Sequence, residues 1–455
     1  MSFLLFIVIL KKRRTNVRKF YLIIVLIFLT VFGYIMFKLN NYSKPVIKEV
    51  YSELLGTIYK KNNHDYIIRD NKGVFYSVNL NSEFNIGDNI KISYKDDINN
   101  IYKIEMLDDE NLLYNDNGIF KNYYAAALKK LNSMSLEEKI GQILLVRTPE
   151  ENQLEAIKDY YLGGFILFGR DTYNETKTSL GDKINSYQQA AKIPMIIAVD
   201  EEGGSVVRIS NNKNLRDSIF LSPQNIYKLS GLDGIKSNTL EMNDLLSSLK
   251  INVNLAPVAD VSVDPNDFIY QRALGMDANT TASYVETVIK NQGNGISYVL
   301  KHFPGYGNNR DTHDNFSVDD RKLEEFQNND FLPFISGINA NAEAMLFSHN
   351  IITNIEPDVP ASLSRNVHNL ARKDLNFTGI IMTDDLDMGA IKKYYSNNAV
   401  TEAILAGNDM IILSDYKQAI SEIKNSINNK VLTESIINRA TVKILAWKYY
   451  KNMII

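Results

Sequence analysis

Eight short, continuous apolar runs constrain this chain more than any other feature. They read QILLVRT, GGFILFGR, PMIIAVD, INVNLAPV, YVLKHFP, AEAMLFSH, GIIMTDD and NDMIILSD, and stretches long enough for helices separate them. Runs without polar alternation suit parallel strands buried on both faces, and strand and helix taken in turn give an α/β fold. Eight such strands over about 280 residues predict a (β/α)8 TIM-type barrel, assigned to 121–455. Almost every run ends in a polar or ionisable residue: Arg147, Arg170, Asp200, Lys301 with His302, His349, Asp384 and Asp415. Catalytic groups of such barrels sit where strands end and loops begin, whereas packing alone would not require that arrangement.

The stretch before the barrel reads differently. Phe20 to Phe37 carries no charge, and Lys11, Lys12, Arg13, Arg14, Arg18 and Lys19 precede it. An apolar run of about that length suits a transmembrane helix, and the basic cluster would stay on the cytoplasmic side. The expectation is a cytoplasmic basic segment and membrane anchor at 1–38 and a linker at 39–47, with the rest of the chain outside the cell. The runs LLGTIYK, YIIRD, GVFYSV and NIKISY alternate with period two between turn signals such as DNKG and NIGD, which predicts a small β-rich module at 48–110. With no basic stripe or stacking pattern, the module reads as a spacer or stalk. The six basic residues aside, the chain is acidic on balance, so no nucleic-acid partner is expected. There is no cysteine, which excludes disulfides, thiolate metal sites and a cysteine nucleophile.

Three segments carry candidate chemistry. In KHFPGYGNNRDTH, Lys301 and His302 close a strand, and Asp311 stands two residues before His313, so in an extended loop their side chains share a face. Asp311 could then orient the imidazole for proton transfer, or the pair could be a local turn contact. In TGIIMTDDLDMGA, a carboxylate held at the end of a barrel strand suits attack on an anomeric carbon. Asp384 is best placed, with Asp385 and Asp387 as competitors and helix capping or metal ligation as alternatives for the cluster. In VDEEGGSVVRI, Asp200 and Arg208 could hold sugar hydroxyls or form a structural pair.

These segments, with MSLEEKIGQ, GGFILFG, NLAPVADV, QRALG and PASLS, occur in an order that resembles glycoside hydrolase family 3, in its β-N-acetylglucosaminidase branch, from about Tyr124 to the C-terminus. The resemblance implies a retaining hydrolase with Asp384 as nucleophile and His313, oriented by Asp311, as general acid/base. It also implies that Asp200, Arg208, Arg272, Lys301 and His302 grip the non-reducing sugar. It implies no cofactor and no metal, and its substrate would be a β-linked N-acetylglucosamine glycan. About 40 residues follow the last strand, enough for two helices, so the acid is expected from the barrel's own loops rather than from a C-terminal sandwich domain. Tyr306 stands where the branch has His. A β-glucosidase, β-xylosidase or phosphorylase of the same family, a metal-dependent barrel hydrolase, and an inactive membrane-tethered glycan-binding protein are the competing readings.

Overall fold

The computed structural model describes residues 19–20, 22–38, 51–107, 113–307, 317–395 and 398–454. The chain divides into two compact units, Met1–Ser52 and Glu53–Ile455. In the first, residues 19–20 and 22–38 are helical, with apolar side chains exposed throughout. Tyr21 falls outside the described residues, and no helix among them is long and apolar enough to cross a membrane. The expected span from Phe20 to Phe37 includes Tyr21 and so lies partly outside the described residues.

The second unit opens with five strands: β1 (Ser52–Asn62), β2 (Asp65–Asp70), β3 (Phe75–Asn79), β4 (Asn89–Tyr94) and β5 (Ile101–Met106). They form one sheet in the order β3-β2-β1-β4-β5. Alternate apolar residues, among them Ile58, Tyr66, Ile68, Val78, Ile90 and Ile92, bury a small core of their own, as the period-two pattern requires. The sheet is fastened to the rest of the unit. The Arg69 guanidinium donates to the Gly407 carbonyl at 3.0 Å, Phe75 and Asn369 exchange two hydrogen bonds, and Arg439 donates to the Thr57 hydroxyl at 3.2 Å. Gly407 and Asn369 lie before strands of the barrel, so these five strands sit at the end opposite the strands' C-termini.

All eight apolar runs form parallel strands: β6 (Leu144–Arg147), β7 (Gly164–Leu167), β8 (Ile196–Val199), β9 (Val253–Asn254), β10 (Ser297–Phe303), β12 (Ala344–Phe347), β14 (Ile380–Thr383) and β15 (Ile411–Leu413). Two short strands, β11 (Val318–Asp319) and β13 (Ile351–Ile352), pair with each other beside the barrel. Barrel strands neighbour one another in chain order, β15 pairs with β6, and Met382 bridges Met410, which closes the ring. Almost every residue of these strands is buried, because the barrel interior covers one face and helices the other.

Helix starts follow local chemistry. Ser135 accepts from the Glu138 amide while the Glu138 carboxylate accepts from the Ser135 amide, a capping box that sets the start of helix Leu136–Gln142. The last two helices, Tyr416–Asn428 and Glu434–Tyr450, follow β15, and the second is buried along most of its length, with the Trp447 indole donating to Glu343 at 2.8 Å.

Candidate active site

Loops after β6, β7, β8, β9, β10 and β14 enclose a cavity of about 220 Å3 lined by Arg147, Phe168, Asp200, Glu202, Arg208, Arg272, Lys301, His302, Tyr306, Asp384 and Asp385, among others. The structure thus brings together six of the expected site residues: Asp200, Arg208, Arg272, Lys301, His302 and Asp384. Asp311 and His313 lie outside the described residues.

Lys301 and His302 are sequence neighbours, yet both line the cavity. The β10–β12 register shifts between Leu300 and Phe303, and such an irregularity breaks the alternation that would send one of them outward. The Lys301 ammonium lies 2.8 Å from Asp200 and 2.5 Å from Glu202. Arg272 grips Glu202 with two bonds, at 3.0 and 2.7 Å. Burial pushes the Glu202 carboxyl up, but Lys301 and Arg272 outweigh it and hold it far below the usual carboxylate range. Burial pulls the Lys301 ammonium down, and Asp200 and Glu202 more than reverse it, so the lysine stays charged.

His302 is held differently from the expectation. Its Nδ1 lies 2.8 Å from Asp260, and its Nε2 lies 3.1 Å from an Arg272 nitrogen. Because guanidinium only donates, Nε2 accepts and Nδ1 carries the hydrogen to the carboxylate. Both ring nitrogens are engaged, so His302 orients Arg272 while its ring lines the cavity. Asp260 also accepts from the His302 and Tyr306 amides, at 3.1 and 2.8 Å, and so fixes the start of the loop that leaves β10. Arg208 has no carboxylate partner among the described residues. Its guanidinium carbon lies 5.7 Å from the Phe168 ring centroid.

The DEEGG segment earns its glycines. Gly203 (φ +90°) and Gly204 (φ +66°) take left-handed conformations, and a Cβ on Gly203 would strike the Leu221 carbonyl. That turn returns the chain so that Glu201, fully buried, accepts from the amides of Arg208, Ile209 and Ser210 at 2.8, 2.7 and 3.2 Å. Glu201 thereby sets the position of Arg208.

Asp384 follows Thr383 at the end of β14, and its amide donates to the Phe347 carbonyl at 2.8 Å. One carboxylate oxygen accepts from the Asp385 amide at 2.8 Å. Burial pushes this carboxyl up, but His349, the Asp385 amide and Lys301 together hold it below its ordinary value. It is therefore a carboxylate at neutral pH, the state a nucleophile needs. The two competing aspartates have other work. Asp385 pairs with Arg147 at 2.5 Å, and Asp387 accepts from the Ser414 amide and pairs with Lys392 at 3.0 Å. No cluster suited to holding a metal ion occurs among the described residues.

Glu202, Asp260 and Arg147 went unassigned in the sequence. Glu202 stands beside Asp200 and Asp260 closes NLAPVAD, so strand-end position alone was the available signal. Glu202→Gln is expected to destabilise the barrel by about 3–5 kcal/mol, because it leaves two buried cations short of a partner. Urea unfolding measures this, and wild-type stability would mean that Asp200 alone satisfies Lys301.

A closed eight-stranded barrel whose strand-end cavity sets an ionised Asp384 among further carboxylates and charged hydrogen-bond donors is a frame suited to a glycoside hydrolase that holds a polyol. The glycosyl hydrolase family 3 N-terminal domain matches residues 135–447, and the chain belongs to that family. A β-hexosaminidase of Xylella fastidiosa (strain M23) is 26% identical over 313 residues, covering 66% of this chain and 90% of the relative. The β-hexosaminidase LpqI of Mycobacterium tuberculosis is 25% identical over 327 residues, covering 69% of this chain and 83% of its own. Among solved structures, a family 3 β-N-acetylglucosaminidase from Paenibacillus superposes with a TM-score of 0.66 at 24% identity. That match covers 70% of this chain and 63% of the other, and it speaks to the fold.

Proposed function

We propose that this enzyme is a retaining exo-β-N-acetylglucosaminidase acting on cell-wall, peptidoglycan-type or related β-linked amino-sugar glycans. The observation that carries the reading is Asp384: a rigid carboxylate, held ionised, at a strand end across from Lys301, Asp200 and Arg272. A carboxylate so placed can attack the anomeric carbon, form a covalent glycosyl-enzyme, and leave when water attacks from the other side. Asp200 can accept from sugar hydroxyls, and Arg208 can donate to them. The acid/base role of His313, with Asp311 behind it, rests on the DTH motif alone. The relatives named β-hexosaminidase support the N-acetyl sugar.

The purified chain is expected to release nitrophenol from p-nitrophenyl β-N-acetylglucosaminide with net retention by NMR, at the same rate in EDTA. Activity on β-glucosides with none on the N-acetyl sugar would overturn the substrate, and an inverted first product would overturn the mechanism. Running the panel with and without phosphate separates hydrolysis from phosphorolysis.

The place of action is proposed from the sequence pattern: six basic residues ahead of an apolar run put the barrel on the outer side of the cell membrane. Protease added to protoplasts should then degrade the barrel, and complete protection would reverse the placement.

A further inference from the structure

Asp385 sits at a junction that the nucleophile reading leaves unexplained. Its amide donates to the Asp384 carboxylate at 2.8 Å. Its carbonyl accepts from Nε2 of His349, which stands just beyond β12, at 3.0 Å. One of its own carboxylate oxygens caps the Asp387 amide at 2.9 Å. The other meets Nε of Arg147, from the end of β6, at 2.5 Å. The backbone that aims Asp384 is thus tied down on three sides, and the tie to β6 crosses the seam where the barrel closes.

The members of this ion pair are not equivalent. The Asp385 side chain is only 10% exposed, whereas Arg147 is 38% exposed and lies over the Phe168 ring at 4.4 Å. Removing the arginine would strand a buried carboxylate, while removing the carboxylate would leave a cation with water and an aromatic face beside it.

We infer that Arg147 is a positioning residue for the nucleophile: by pairing with Asp385 it holds the turn whose amide orients the Asp384 carboxylate. Burial pushes the Asp385 carboxyl up from its ordinary value, and the Arg147 charge opposes that shift. The charged and titratable groups around Asp385 are Arg147 from β6, Asp384 and Asp387 on its own segment, Lys392 through Asp387, and His349 through the carbonyl. The inference rests on Asp384 being the nucleophile.

The test is steady-state kinetics of the full chain on p-nitrophenyl β-N-acetylglucosaminide. Arg147→Met is expected to lower kcat about ten- to a hundredfold with KM nearly unchanged, the scale of a sub-ångström to 1 Å misplacement at a reacting centre. Its acid limb should move to higher pH, since the unpaired carboxyl takes up a proton sooner and the turn loosens as it does. Arg147→Lys should recover most of the loss. The double variant Arg147→Met/Asp385→Asn should turn over faster than Arg147→Met alone, because no buried charge is then unpaired. A merely structural role would lower the thermal midpoint and leave kcat per folded enzyme unchanged. A raised KM with kcat intact would place Arg147 against the substrate and overturn the inference, as would wild-type kinetics or an additive double variant. Asp384→Asn, assayed alongside, keeps the two readings apart. If it is dead while Arg147→Met is fully active, the nucleophile stands and the positioning role falls; if it is active, both fall.

Discussion

Asp384→Asn is expected to lower turnover by several orders of magnitude on every β-glycoside the enzyme accepts, whatever the leaving group. The carboxylate forms the bond to the anomeric carbon in the first half-reaction and is the leaving group of the second, so neither an activated nor a natural aglycone can bypass it. The amide is nearly isosteric, and the Asp385 amide that now bonds one carboxylate oxygen can still find the side-chain carbonyl. The loss therefore reports chemistry and not collapse, and an unchanged thermal midpoint would show this directly. Asp384→Gly with azide should yield the α-glycosyl azide, because the anion enters from the face that the carboxylate has vacated. Because Asp384 is held below its ordinary value, it is ionised and active above that range. The acid limb due to it should therefore lie below the range of an ordinary aspartate, activity being lost only as pH drops through the lowered folded value. Asp384→Asn keeping a substantial fraction of wild-type kcat would pass the nucleophile's role to another group.

His313→Ala should divide substrates by leaving group. Nitrophenolate departs with little help, so its glycosylation step should slow far less than that of a natural disaccharide, which needs a proton donor. Hydrolysis of the glycosyl-enzyme also loses its base, so the intermediate should accumulate and be visible as a mass shift on intact protein. Azide needs no deprotonation and should restore turnover, giving the β-glycosyl azide, opposite in configuration to the product of the Asp384 variant. Asp311→Asn should behave as a milder His313 variant, because the imidazole is left in place without its orienting carboxylate. Equal slowing of activated and unactivated substrates, with no trapped intermediate, would remove the acid/base assignment and leave Asp384 standing on its own result.

The barrel was legible because its information is local. A strand buried on both faces must be apolar in every residue, and that pattern needs no knowledge of neighbours. The same held for the position of Asp384, which ends such a run. The partners of His302 were not legible. Its sequence position pointed to the sugar, whereas its ring nitrogens are taken by Asp260 and Arg272, partners 42 and 30 residues away. Four of the five short β-strands were also legible from alternation, but not β5 and not their attachment: Arg69 meets Gly407 across 338 residues.

The sequence by itself determined the eight parallel strands and the candidate nucleophile, through its order of motifs, because hydrophobic runs and strand-end polar residues are properties of consecutive positions. Only the tertiary structure decided how the charges pair. Closing the ring brings β6 beside β15 and the ends of β8 and β10 around one cavity, so Glu202 meets Lys301 and Arg272, and Arg147 meets Asp385. Buried ions require partners at contact distance, and which strand supplies them depends on barrel closure and register, which no local pattern encodes.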